Sequence, residues 1–143
     1  MSRDAQMKAE LKLLQGSLAV WLILFVLAFF NGALREIFIK HYIQEPWSHQ
    51  VSALTAILLF TSGVWLAWPL THIHTLKVAL FIGSLWFVLT VSAETFLIGR
   101  WLGNRTWREI FYDYDISSGH LWPIVLIWIA FMPAVINRLK SRT

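Results

Sequence analysis

The chain has 143 residues, 57% hydrophobic and only 14% charged, with a mean hydropathy of +0.60 and a formal net charge of +4. A soluble domain is about half apolar and about a quarter charged, so this composition points to lipid as the solvent and to one compact domain, 1–143. Cysteine is absent, which excludes disulfides, thiolate metal sites and a cysteine nucleophile, and so little polar sequence leaves no room for a basic nucleic-acid-binding surface.

A helix that crosses a bilayer core of about 30 Å needs about 20 mostly apolar residues. Four segments meet that requirement: 17–39, 49–68, 76–98 and 118–139. The expected fold is therefore all-α, an integral membrane bundle of four transmembrane helices. Pro69 lacks a backbone donor and is expected to stop the second helix; Pro133, inside the fourth, should free the Ile129 carbonyl and kink it. The opening stretch, 1–15, reads as an amphipathic lead-in to the first helix rather than a signal peptide, with Met7, Leu11 and Leu14 as its apolar stripe.

Between the third and fourth spans, Thr106 followed by Glu109 is a capping-box signature. Trp107, Ile110, Phe111 and Tyr114 then recur at helical spacing, so 107–114 is expected to be a short amphipathic helix lying in the membrane interface. Trp47, Trp101 and Trp122 fit the aromatic belt at that level, and Trp65 and Trp68 the opposite one.

One end of the bundle carries Arg3, Lys8, Lys12, Lys77, Arg138, Lys140 and Arg142. The other carries Arg35, Lys40, Arg100, Arg105 and Arg108 among most of the carboxylates. Basic residues favour the cytoplasm, so the expected localisation is a bacterial inner membrane, multi-pass, with both termini cytoplasmic.

The polar residues of the spans gather at the opposite, periplasmic end. Asn31, Arg35 and Glu36 close the first helix, and His49, Gln50 and Ser52 open the second. Thr90 and Glu94 lie late in the third, and Tyr112, Asp113, Tyr114, Asp115, Gly119 and His120 lead into the fourth. Ionisable groups inside spans are costly, face the bundle interior and often mark function. Asn31, Arg35, Glu36, Asp113 and Tyr114 are the candidate substrate-binding residues, with Arg35 expected against Glu94 or Asp113. Glu94 and His49 are the candidate general bases. The plainer readings are that Arg35 snorkels to the headgroups, that Glu36 and Lys40 form an ordinary i, i+4 pair, and that the cluster simply locks the helices.

No metal site is favoured. The alternative set is His49, Glu94 and His120, but no H-x-x-x-H or E-x-x-H spacing puts two ligands on one helical turn. Neither a nucleophile elbow nor a phosphate or dinucleotide loop is present, and the sequence leaves the cofactor unknown.

The motifs Asn31-Gly32-Ala33-Leu34-Arg35-Glu36, His49-Gln50-Val51-Ser52, Glu94, and Asp113-Tyr114-Asp115 through Gly119 to Trp122 resemble those of a group of small bacterial four-helix inner-membrane proteins of unassigned activity. The resemblance covers most of 31–139 and implies a shared polar face. Gly99-Arg100 stands where that group has Gly-His.

Three functions fit these features: a pocket for a lipid head group or amphipathic small molecule, a structural or accessory subunit, and ion or proton transport. The last is the weakest, because the cytoplasmic half offers few polar side chains. Membrane lipids are the expected partners, and Gly63, Ala67 and Gly83 allow close helix approach in a homo-oligomer or larger complex.

Overall fold

The computed structural model describes residues 2–142. Among them every regular element is helical, and four helices are long and apolar enough to cross a membrane. We label them α1 (Arg3–Tyr42), α2 (Trp47–Thr71), α3 (Leu76–Leu102) and α5 (Trp122–Lys140); the short helix α4 (Trp107–Tyr112) precedes α5. Their outward faces carry bare apolar side chains, with Leu58 70% and Leu66 80% exposed. Such faces suit lipid, and this pattern, with the composition, suggests a membrane protein.

The core runs along the bundle axis through Val20, Ala56, Phe60, Ile82, Trp86, Val125, Ile129 and Met132. α1 packs along α2, α3 along α5, and α2 against α5. Backbones approach closely at Gly83, where a Cβ would collide with the Ala130 carbonyl oxygen of α5, and at Gly16, where it would collide with the Leu70 carbonyl oxygen of α2. Away from the polar end, three indoles tie helices together by donating hydrogen bonds: Trp21 to Thr90 Oγ1 (3.1 Å), Trp86 to the Ser17 carbonyl (3.1 Å) and Trp128 to Thr61 Oγ1 (2.9 Å). Each satisfies an N–H that would be costly bare in an apolar medium.

Several helix limits differ from the sequence expectation. α1 is one rod of 40 residues, about 60 Å at 1.5 Å per residue, so it outruns the expected 17–39 at both ends, while its lead-in is continuous with the span as expected; Met1 lies outside the described residues. α2 does not stop at Pro69 but continues to Thr71, because proline near the last turn forfeits only one ladder bond. The end is set by His72, at φ 53°, and by the Thr71 hydroxyl, which donates to the Trp68 carbonyl and accepts from the Ile73 N–H. α5 begins at Trp122 rather than 118, with Pro123 in its first turn, and runs unbroken through Pro133. α4 ends at Tyr112, two residues short of the expected limit, while its capping box forms as expected.

Two stretches wind as π-helix, Arg35–Ile39 at the end of α1 and Ala93–Leu102 at the end of α3. The Lys40 N–H reaches the Arg35 carbonyl and the Gly103 N–H the Ile98 carbonyl, each five residues back. Both lie at the polar end, where such turns re-aim side chains; π turns are frequent at functional sites.

Candidate functional site

A cavity of about 560 Å³ occupies the polar end of the bundle. Arg35, Glu36, Lys40, His49, Glu94 and Asp113 line it, with Phe25, Phe60, Ile98 and Ile129 among its apolar walls. Asn31, Tyr114 and His120 also reach it, so all the sequence-predicted site residues border one space.

Their partners are not those expected. Arg35 meets neither Glu94 nor Asp113. Its Nε and Nη2 donate to Glu36 Oε1 (3.2 and 3.0 Å), and Nη1 lies 3.0 Å from His49 Nδ1. Lys40 bridges Glu36 (2.9 Å) and Glu45 (3.0 Å), and Glu45 lies 3.3 Å from His49 Nε2. The contacts close into a ring: Arg35, Glu36, Lys40, Glu45, His49 and back to Arg35. A guanidinium only donates, so His49 Nδ1 accepts and the ring proton sits on Nε2, facing Glu45. The Lys40 ammonium holds the Glu45 carboxyl below the usual carboxylate range. With both nitrogens engaged, His49 is poorly placed as a base while Arg35 stays where it is.

Asn31 belongs to the packing. Only 4% exposed, it donates through Nδ2 to the Ser52 carbonyl (3.0 Å) and hydroxyl (2.9 Å), pinning α1 to α2.

Across the cavity, Asp113 accepts from Arg105 Nη1 at 2.6 Å, while Arg105 Nη2 donates to the Glu109 carbonyl. The Asp113 carboxylate in turn raises Arg105 above its ordinary value. Asp115 faces its own turn instead, where the Ser117 and Ser118 hydroxyls donate to it and hold it below the carboxylate range.

Glu94 is different. Trp122 Nε1 donates to its Oε2 at 2.7 Å, and the Tyr114 hydroxyl reaches the same oxygen at 3.5 Å. Burial raises the Tyr114 phenol, and the neighbouring Glu94 charge adds to the shift. Among the described residues no Lys, Arg or His pairs with Glu94, and no hydrogen bond engages Oε1.

His120 packs edge-on against His49 (ring centroids 4.9 Å) and Tyr112 (5.0 Å). It is 6% exposed, and its Nδ1 has no hydrogen-bond partner. Gly119 sets up this placement: at φ +87° it turns the chain out of the 3-10 turn Ile116–Ser118, and a Cβ there would press on Pro46. The alternative metal set does not form. No group of three His, Cys, Asp or Glu among the described residues is arranged to hold an ion, and Glu94 Oε2 is engaged by Trp122 and Tyr114.

The sequence reading missed Lys40, Glu45 and Arg105 as members of the site, and took Trp122 for a belt residue. Lys40 carried a signal, its i, i+4 spacing from Glu36. Glu45 and Arg105 also had partners near in sequence, His49 at i+4 for the first and Asp113 eight residues on for the second, whereas the Trp122 donor carried no signal, since its partner Glu94 lies on another helix.

No family model, curated protein or solved structure matches this chain. The reading of its function therefore rests on the site.

Proposed function

We propose that the chain is a multi-pass inner-membrane protein with both termini cytoplasmic, whose periplasm-facing cavity binds or processes a lipid head group or an amphipathic small molecule. The observation that carries this reading is one 560 Å³ cavity lined by both charged side chains, such as Arg35, Lys40 and Glu94, and apolar ones, such as Phe25, Phe60 and Ile129. That volume is in the usual range of small-molecule sites, about 300–1,000 Å³. A polar head sits among Arg35, Lys40 and Glu94, and its chain lies along Phe25, Phe60 and Ile129. Arg35 engages an anionic group, and Glu94 Oε1 is the proton acceptor if the bound molecule reacts.

A second reading, a non-catalytic accessory subunit locked by its polar cluster, is favoured by the closed ring of ion pairs and histidine hydrogen bonds, whose charges already satisfy one another. Native mass spectrometry from nanodiscs separates the two. On the binding reading, wild type carries a small molecule that folded Arg35→Ala and Glu94→Gln lose. Bare wild type, with variants that lose only stability or subunits, would leave the structural reading.

A further inference from the structure

The cavity is walled unevenly. α1 is tied to α3 at its lower and middle levels, by Trp86 on Ser17 and Trp21 on Thr90. Beyond Thr90, towards the polar end, no hydrogen bond or ion pair joins α1 to α3 among the described residues. There Phe25, Phe29 and Gly32 of α1 and Glu94 and Ile98 of α3 line the cavity instead. Phe29 lines it while 66% exposed, so the cavity reaches the outer surface of the bundle between these two helices. A Cβ added to Gly32 would meet nothing within 4 Å, whereas at Gly83 or Gly16 it would strike backbone of the next helix. Gly32 therefore borders open space.

The charges bordering this space are matched, with one exception. Arg35 and Lys40 are paired with Glu36, Lys40 also with Glu45, and Arg105 with Asp113. Among the described residues, Glu94 is the only lining Asp, Glu, Lys or Arg without a countercharge. It has two neutral donors on one oxygen and none on the other. An isolated carboxylate facing an apolar wall is costly, and a ligand that brings a cation relieves that cost.

We propose that the opening between α1 and α3 is a lateral portal through which a phospholipid with an ammonium head group enters from the bilayer, and that Glu94 receives the ammonium while Arg35 and Lys40 face the phosphodiester. This rests on the binding reading above and names its ligand class. The geometry lets the acyl chains stay between Phe29 and Ile98, in contact with lipid, so only the head group leaves the bilayer. A partly desolvated carboxylate–ammonium contact selects for the amine head group by roughly tenfold or more.

The test uses the whole protein in nanodiscs of equal parts phosphatidylethanolamine and phosphatidylglycerol, released into mild detergent, with bound lipid read by native mass spectrometry. Wild type is expected to retain phosphatidylethanolamine by roughly tenfold over phosphatidylglycerol. Glu94→Gln, which keeps the shape and an acceptor for Trp122, should lose the retained phosphatidylethanolamine down to the phosphatidylglycerol level and so bring that ratio near one. Gly32→Trp should fill the portal and remove bound lipid of both kinds. Equal retention of the two lipids by wild type, an unchanged ratio in Glu94→Gln, or unchanged binding in folded Gly32→Trp would each overturn the proposal. If wild type instead carries an amphiphile that has no ammonium, the binding reading stands and this inference alone fails; bare wild type removes both. The comparison of head groups in wild type needs no variant, so a misfolded substitution does not obscure the answer.

Discussion

The Trp122 indole donates to Glu94 Oε2 at 2.7 Å, joining the first turn of α5 to the π-wound end of α3. This contact gives the carboxyl a fixed direction without giving it a countercharge. It divides the polar end into two parts: a self-satisfied ring around Arg35, and a lone carboxyl supported by neutral donors.

Trp122→Phe keeps the aromatic packing and removes the donor. Hydrogen bonds to charged groups contribute about 1.5–3 kcal/mol, so the variant should lose stability of that order in detergent unfolding. Trp101→Phe, at a 76% exposed ring, should change stability by no more than about 0.5 kcal/mol. Equal losses in the two would show that the Glu94 contact contributes nothing.

Asn31 and Ser52 should behave as one unit. Asn31→Ala removes both bonds of the α1–α2 pin and Ser52→Ala removes one, and interhelical polar pairs in membranes average about 0.6 kcal/mol with a maximum of about 1.7. Because Asn31 also donates to the Ser52 backbone carbonyl, Asn31→Ala should cost more than Ser52→Ala. A double-mutant cycle with zero coupling would refute the pairing.

Gly83 and Gly32 should respond oppositely to alanine. At Gly83 the new methyl drives into the Ala130 carbonyl, and overpacking of this kind costs about 1–3 kcal/mol. At Gly32 it meets open space, and alanine should stabilise the helix by about 0.5–1 kcal/mol. Thermal unfolding of the two variants side by side checks the sign of each.

The loops at the polar end should loosen in acid. Glu45, Glu109 and Asp115 lie below the ordinary carboxylate range, held chiefly by the Lys40 ammonium, the Thr106 N–H and the Ser117 hydroxyl respectively. A carboxyl depressed in the folded state adds stability that is complete above its unfolded pKa, about 4, and is lost as pH falls through the lower folded value. The Thr106 and Ser117 amides, bound to Glu109 and Asp115, should therefore lose hydrogen-exchange protection below about pH 4, after correction for intrinsic exchange, and keep it at higher pH. Glu109→Gln should abolish the pH dependence at Thr106 while leaving Ser117 unchanged.

Composition and the lengths of the apolar runs determined that this chain is a bundle of four long helices, because a continuous apolar run of about 20 residues satisfies its own backbone as a helix, whereas barrel strands are shorter and alternate. The Thr106–Glu109 cap was equally legible, since both partners lie within one turn. So was the gathering of Asn31, Arg35, His49, Glu94 and Asp113 at one end, which follows from alternating helix direction. What the tertiary structure decided was the pairing within that end. Arg35 turns to Glu36 and His49 rather than Glu94 or Asp113, because rotation of each helix about its axis, altered by the π turns at Arg35–Ile39 and Ala93–Leu102, sets which side chains meet. Those rotations come from packing over the whole length of the helices, at contacts such as Gly83 on Ala130 and Trp86 on Ser17, and no local spacing encodes them. For the same reason the sequence could place Glu94 in the bundle, but only the fold could leave it, among the described residues, the one lining charge without a countercharge.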